Sequence, residues 1–253
     1  MKPITREVIA IEESFFNDGH WYLLTSNSLG GRGLDAQSLE AQLQSNTPQV
    51  ILDLVKQGIS LPLFFEGDCV LDNAIIVIGE LTEQENNEWL GRIQGQLNIT
   101  CGEFLITGGF LAEDLEVALN HDKAPNPNFN FFQKIKVPAG QYLVEIYAFL
   151  SSMSASFIWE KLENTQAIID QWQQSGVIMP KWLDEFINQE DCVNSNEFDL
   201  QDYIIRLTPL KETVALPELI TEVNCFGKFA VRLPNTMPLG ISRRQLLAEA
   251  AKS

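Results

Sequence analysis

The sequence has few of the residues that form metal sites, disulfides or activated nucleophiles. It contains only two histidines, His20 and His121, which lie in different segments without HxH or HxxxH spacing. Its four cysteines are far apart and include no CxxC pair; they are Cys69, Cys101, Cys192 and Cys225. Zinc sites and disulfide frameworks need close, regular spacing, so neither is predicted. The thiols are expected to stay reduced, with Cys101 a small packed side chain.

Motifs for nucleophilic, phosphate-binding and cofactor chemistry are also missing. No GxSxG motif occurs, and the glycine-rich stretch Asn27–Gly33 leads into neither a P-loop lysine nor a GxGxxG pattern. This stretch is therefore interpreted as a surface loop. Carboxylate pairs such as Glu66 and Asp68 are expected by chance among 34 acidic residues. We assign no catalytic residue and predict no cofactor.

One acidic segment has the side chains of a possible oxygen-rich metal site. Four candidate ligands lie between residues 114 and 122: Asp114, Glu116, His121 and Asp122. Their spacing does not demand a metal, so a solvated acidic loop is the favoured interpretation and no metal ligand is assigned.

Basic residues are scarce as well. Lysine and arginine total 17 against 34 acidic residues, which gives a formal charge of −17. Such a surface repels nucleic acids and anionic membranes, so neither is an expected partner. The longest apolar run, Ala74–Ile78, is too short to cross a bilayer, and the first residues lack the apolar core of a signal peptide. We expect a cytoplasmic protein whose acidity serves solubility or attracts a basic partner.

The clearest pattern present is an alternation of apolar residues between Asn128 and Leu150. Period-2 alternation of aromatic and β-branched residues predicts two strands. Between them lies Pro138-Ala139-Gly140, in which proline fixes φ and glycine can adopt the left-handed conformation. We therefore predict a β-hairpin.

A second segment, Ile93–Ile106, has the same construction. Ile99 to Ile106 aligns with Val137 to Val144 without a gap, at a shift of 137 − 99 = 38 residues. Either an internal duplication or the limited chemistry of tight turns explains the match.

Two stretches with helical periodicity interrupt the strands. One runs near residues 35–58, where Asp35 is a predicted N-cap and Gly58 a predicted stop, and the other near residues 157–189. Ser242 is predicted to cap a short C-terminal helix. The expected fold is α+β: a mainly antiparallel β-sandwich with helical insertions, forming a single domain over residues 1–253.

Aromatic residues supply the candidate partner-binding site. Trp89, Trp172 and Trp182 each border a loop or helix end, where aromatic anchors often serve interfaces. The competing interpretation, that they fill the core, is the favoured one. We keep these three as candidate partner-binding residues.

The segment KVPAGQYLVEIYAF and the later DYIIRLTPL resemble a pattern in uncharacterised bacterial β-sandwich proteins, in which a VPxGxYxVxxY segment precedes a strand ending in a proline-containing loop. The chain also looks faintly similar to the acidic competence nuclease inhibitor family. The resemblance covers about a fifth of the chain, and it assigns no functional residue. It implies a sandwich that acts by binding another protein.

Two functions remain open at this point. The favoured one is a non-enzymatic module that binds a basic protein, as an inhibitor or immunity-type protein. The alternative is an enzyme or small-ligand binder whose site lies between the sheet and a helical insertion. The sequence gives neither the partner nor the oligomeric state.

Overall fold

The computed structural model describes residues 5–45, 47–126, 128–162, 165–188, 194–234 and 237–252. Within these ranges the chain forms twelve strands and eight α-helices. The strands are β1 (Glu7–Ala10), β2 (Trp21–Ser26), β3 (Ser60–Phe64), β4 (Ile75–Ile78), β5 (Gly91–Ile99), β6 (Glu103–Gly108), β7 (Phe132–Lys136), β8 (Gly140–Ala148), β9 (Tyr203–Pro209), β10 (Leu219–Ile220), β11 (Cys225–Phe226) and β12 (Ala230–Val231). The helices are α1 (Ala36–Leu43), α2 (Pro48–Lys56), α3 (Glu83–Glu88), α4 (Ala112–Asn120), α5 (Ala155–Glu160), α6 (Thr165–Gln174), α7 (Lys181–Asn188) and α8 (Arg243–Ala250).

The strands form two six-stranded sheets. The first sheet has the order β1-β4-β9-β8-β5-β12, and the second has the order β10-β11-β3-β2-β6-β7. Only β4–β9 and β3–β11 are parallel among the pairings of the described residues. The α+β class with a mainly antiparallel sandwich is therefore confirmed.

The main core lies between the two sheets. Strand β5 alternates between buried and half-buried residues along its whole length, as a strand with one core face should. Across the interior it contacts β2 and β3. Gly95 leaves room for this contact, because a Cβ atom there would lie 2.9 Å from Leu61 Cδ1.

Strand β4 follows the pattern expected of a central strand. All residues of Ile75–Ile78 are buried, and β4 lies between β1 and β9 in the first sheet. Its outward-facing residues join a second, smaller core that includes Leu246 of α8. Burial on both faces explains why this segment is apolar throughout rather than alternating.

The predicted hairpin between residues 128 and 150 is wrong, although both of its strands exist. Strand β7 pairs with β6 in the second sheet, whereas β8 pairs with β5 and β9 in the first. The Pro138-Ala139 segment therefore carries the chain from one sheet to the other. The hairpin predicted around Cys101-Gly102 is a corner of the same kind, because β5 and β6 also lie in different sheets.

The two corners stack on each other. Val137 N donates to Gly102 O at 2.9 Å, which joins the two corners. Within the Pro138-Ala139 corner, Tyr142 Oη donates to Pro138 O at 2.6 Å. Gly102 has φ of +77°, which favours glycine. The segments resemble each other because both turn a corner between the sheets. Whether they arose by duplication stays a prediction.

The acidic connection between residues 82 and 88 forms helix α3 and its N-cap. Thr82 and Glu85 form a reciprocal capping box, and the Glu85 and Glu88 side chains are buried. Residues 223–233 contain two short strands, β11 and β12, which lie in different sheets.

The helical insertions are confirmed where the structure describes them. Asp35 Oδ1 accepts from Ser38 N at 2.8 Å at the start of α1, and Pro48 is the first residue of α2. Helix α1 contacts α2 and α4, and α2 contacts β3. The second insertion is α5, α6 and α7; its predicted last residue, Gln189, lies outside the described residues. The single-domain organisation stays a prediction.

The C-terminal helix begins as expected. Gln245 N donates to Ser242 Oγ at 3.3 Å, and α8 packs on β1. Among the described residues, no helix is both long enough and apolar enough to cross a membrane.

Candidate functional site: an acidic, aromatic cleft

The three tryptophans selected from the sequence are buried. Relative exposure is 9% for Trp89, 3% for Trp172 and 4% for Trp182. Trp172 stacks on Trp159 with ring centroids 5.9 Å apart. Trp182 Nε1 donates to Leu239 O at 3.3 Å. Their rings are engaged inside the chain, and partner binding through them stays a prediction.

Trp89 lies on the outer side of the first sheet. The guanidinium carbon of Arg232 is 3.5 Å from its ring centroid, and Tyr147 packs against it at 5.4 Å. Arg232 Nε also donates to Trp89 O at 3.1 Å. The arginine therefore covers the face of the ring that a partner would need to reach.

A different tryptophan, Trp21, lines an open cleft of about 790 Å³. Four segments build its walls: the start of β2, the link from β6 to α4, the end of α1 and the turn 221–224. We call it the Trp21 cleft. Its volume lies within the range of binding sites for small molecules or protein side chains.

The floor of the Trp21 cleft is aromatic. Trp21 makes edge-to-face contacts with Phe110, at a centroid distance of 5.5 Å, and with Phe64 at 5.0 Å. Leu111 extends the apolar surface and is 57% exposed. Rigid aromatic rings beside an exposed leucine are the kind of surface that anchors a protein partner.

The rim of the Trp21 cleft is acidic. Its lining includes the carboxylates of Asp18, Asp114 and Glu222, and within the described residues it includes no lysine, arginine or histidine. Burial and the neighbouring Glu113 raise the pKa of Asp114. Hydrogen bonds from its own backbone N–H and from the Thr221 hydroxyl lower the pKa of Glu222. The rim therefore concentrates negative charge that no lining residue neutralises.

Hydrogen bonds hold two walls in place. Asn17 Nδ2 donates to Trp21 O at 2.8 Å and to Gly19 O at 3.1 Å, which fixes the chain before β2. On the opposite wall Asn224, with φ of +56°, donates from Nδ2 to Ser45 O at 2.6 Å. The turn 221–224 is thereby tied to the end of α1. The cleft is a preformed feature of the fold.

The thiol of Cys69 lies beside a wall of the cleft, next to Asn17. Its Sγ donates to Asn17 O at 3.3 Å. Burial and the charge of Asp72 raise the pKa of Cys69 to about 11, which disfavours the thiolate. Cys69, Cys101 and Cys225 are free, and Cys192 lies outside the described residues.

The acidic segment considered as a metal site forms no ligand cluster in the structure. Across the described part of the chain, no group of three or more histidine, cysteine or acidic side chains is arranged to hold a metal ion. Asp114 faces the Trp21 cleft instead.

Another acidic cavity, of about 650 Å³, lies between α3 and α8, but its carboxylates are used within the chain. Arg6 bridges Glu85 at 2.7 Å and Glu249 at 2.9 Å, while Glu88 accepts from Gly240 N at 3.0 Å. These contacts fasten α8 to α3, so this cavity is interpreted as part of the packing between the two helices and not as a binding site.

Sequence reasoning missed the Trp21 cleft because its residues come from distant segments. The only local signal is Gly108-Gly109 at the end of β6, where Gly109 has φ of +78° and a Cβ at Gly108 would lie 2.6 Å from Asn17 Cγ. A glycine pair ending a strand indicates close backbone approach. It does not reveal which segment approaches.

Comparison with known proteins gives little. No protein-family model and no curated protein matches the sequence. Among solved structures, the chain resembles one described as Crocagin biosynthetic gene J, with TM-score 0.37, 13% identity, and coverage of 82% of this chain and 100% of that one. It also resembles ComJ from Bacillus subtilis, an inhibitor of the DNA-degrading activity of NucA, with TM-score 0.29, 7% identity, and coverage of 83% and 98%. The resemblance to a competence nuclease inhibitor is weak, and neither similarity is close enough to support an argument about function.

Proposed function

We propose that this protein is a non-enzymatic binding module that holds a basic protein partner in the Trp21 cleft and inhibits it. One observation carries the proposal: three carboxylates stand around an aromatic floor, and the described residues of the lining include no cation. An inserted lysine or arginine of the partner would supply the missing charge.

The chemistry of the cleft favours a cationic side chain over other occupants. Trp21 lines the cleft, and indole rings attract ammonium and guanidinium groups, while Asp114 offers a partly buried carboxylate. Leu111 supplies exposed apolar area at the same place. Aromatic anchors combined with charge complementarity are the usual composition of binding hot spots.

Long-range electrostatics favour the same kind of partner. With a net charge of −17, the whole molecule attracts a basic protein before contact and repels nucleic acid. Occupation of a preformed cleft by a side chain from an enzyme would block that enzyme's own binding surface. This is how an inhibitor or immunity-type protein would work without a catalytic residue.

Parallel affinity capture from the source cells, with quantitative mass spectrometry, tests the proposal. The bait proteins are the wild type and a variant in which the three cleft carboxylates are neutralised, Asp18→Asn, Asp114→Asn and Glu222→Gln. We expect the wild type to capture a stoichiometric basic protein, with binding that weakens as salt rises. The cleft variant should lose at least tenfold in affinity, equivalent to about 1.4 kcal/mol.

The matched control removes three exposed carboxylates elsewhere, Asp122→Asn, Asp170→Asn and Glu197→Gln. Both variants have a net charge of −17 + 3 = −14. A partner lost equally from both would indicate attraction by net charge alone, and a partner lost from neither would exclude the cleft. If the captured protein is an enzyme, equimolar wild-type protein should reduce its activity.

A further inference from the structure

A second cavity, of about 430 Å³, lies between the end of β3, helix α5 and the segment 227–229. We call it the α5 pocket. It stands where the second helical insertion meets the strands, and the proposed function makes no use of it. The lining is mostly apolar; the apolar residues are Phe64, Phe65, Val70, Met153, Phe157, Ile158, Ile220 and Phe229.

Two of these apolar side chains remain exposed at the mouth of the pocket. Phe157 is 50% exposed and Met153 is 42% exposed. Large apolar side chains are normally buried when the fold can bury them. A flexible methionine beside a phenylalanine is suited to closing over an unbranched chain, because methionine adapts its shape at little cost.

Glycines keep the walls of the α5 pocket close together. A Cβ at Gly67 would lie 2.5 Å from Met153 Cε, and one at Gly227 would lie 2.2 Å from Phe64 O. A side chain at either position would displace a lining residue. The pocket is therefore shaped by the backbone as well as by its side chains.

Basic side chains outnumber acidic ones in the lining of the pocket. Among the described residues, Lys161 and Lys228 line it together with one acidic residue, Glu66. Lys228 pairs with Glu218 at 2.5 Å, whereas Lys161 belongs to none of the ion pairs of the described residues. In a chain with twice as many acids as bases, Lys161 beside an apolar cavity is therefore the cation left to bind an anion, with Lys228 next to it.

We propose that the α5 pocket binds an amphiphilic carboxylate, that is, a free medium-chain fatty acid. The tail lies among Phe65, Ile158 and Phe229, and the carboxylate pairs with Lys161 at the mouth, beside Lys228. The apolar volume accounts for the tail, and the ammonium group of Lys161 accounts for its anionic end. Each part of the ligand thus has a matching part of the pocket.

Isothermal titration of the full chain with dodecanoate, below its micelle concentration, tests the proposal. We expect saturable one-to-one binding, and none for dodecyltrimethylammonium, which has the same tail and the opposite charge. The double variant Lys161→Gln, Lys228→Gln should bind dodecanoate about fivefold more weakly, because an exposed charged pair contributes at most about 1 kcal/mol. The control Lys123→Gln, Lys252→Gln has the same net charge and should bind like the wild type.

A second pair of variants examines the tail. Phe157→Ser and Met153→Ser alter exposed residues, so the fold should be retained while dodecanoate binding falls about fivefold each. Equal affinity for dodecanoate and the cationic amphiphile would overturn the proposal. So would binding to anionic vesicles without binding of free dodecanoate, or a monomer–dimer equilibrium abolished by Phe157→Ser in a chain that binds no dodecanoate.

Discussion

Tyr22 donates a 2.6 Å hydrogen bond from its phenol to Asp72 Oδ1 inside the core, and its oxygen also accepts from Leu71 N at 3.1 Å. Asp72 Oδ2 in turn accepts from Asn17 N at 2.9 Å. Burial raises the pKa of both Tyr22 and Asp72. Successive residues of a strand face opposite sides of the sheet. Tyr22 therefore anchors strand β2 from inside the core, and the same strand presents Trp21 to the cleft.

Replacement of this phenol should weaken both the core and the cleft wall. Tyr22→Phe leaves Leu71 N–H without its acceptor, and an unsatisfied buried donor costs about 1–3 kcal/mol. Urea unfolding should show that loss, and amide hydrogen exchange should become faster around Asn17. The control Tyr142→Phe removes a phenol bond at the opposite corner and should not change exchange at Asn17. Unchanged stability of Tyr22→Phe would show that water replaces the hydroxyl.

The contact between the sheets gives a second prediction. At Gly95 a Cβ would lie 2.9 Å from Leu61 Cδ1 and 3.1 Å from Leu61 Cδ2, so Gly95→Val should overpack the core and cost about 1–3 kcal/mol. In a Leu61→Ala background the added methyls have space, and the cost should shrink or change sign. A double-mutant cycle measured by thermal unfolding checks this. Strict additivity would mean that the two residues do not face each other.

The strands could be read from the sequence because alternation records which residues of a strand are buried. The pairing could not, as the two wrongly predicted hairpins show. Val137 and Tyr142 are inward-facing whether their strands lie side by side or face each other across the core. Only the long-range strand pairs, such as Ile99 with Gly140, decide between these two arrangements of the strands. Such pairs leave no trace in a local pattern.

A buried carboxylate supports the outer side of the first sheet and gives a third prediction. Glu145 accepts from Arg92 Nη1 at 3.1 Å and from Arg206 Nη1 at 3.2 Å. Glu145→Gln would leave two guanidinium groups facing each other without a carboxylate between them. We expect the free energy of unfolding to fall by about 3 kcal/mol, the low end for a broken buried pair. Exposed Glu80 also binds Arg206, and Glu80→Gln should cost less than about 1 kcal/mol. Urea unfolding at pH 7 compares the stabilities of the two variants. Equal losses of stability would contradict the prediction that burial makes Glu145 more important than Glu80.

The candidate site was less predictable than the fold. Acidity suggested a basic partner, but net charge does not say where charge is uncompensated. Asp18, Asp114 and Glu222 are brought together only by the fold, and Trp21 reads in the sequence as one more residue of a buried strand. Trp172 and Trp182 drew attention because they border helix ends, yet those ends pack inward.

Asp202 should make stability depend on pH. Burial raises its pKa to about 6 from a usual value of 3.8, and its Oδ2 accepts from Ser195 Oγ at 2.7 Å. The folded state therefore holds the proton more tightly than the unfolded chain does. The stabilisation is fully present below about pH 4 and is lost as the pH rises through about 6, a change of about 3 kcal/mol for a shift of this size.

Asp202→Asn has no carboxyl at this position. The difference in stability between wild type and variant therefore reports the titration of Asp202, because the other groups titrate in both proteins. Between pH 7.5 and pH 4.5, the stability of the wild type relative to Asp202→Asn should rise by about 2 kcal/mol, because only the wild type takes up the proton and the rest of the change comes below pH 4.5. The exposed control Asp122→Asn should differ from the wild type by a constant amount over the same range. Urea unfolding at both pH values gives the comparison. A constant difference for Asp202→Asn as well would mean that this carboxylate is already ionised in the folded protein near pH 5, with Arg243 overcoming its burial.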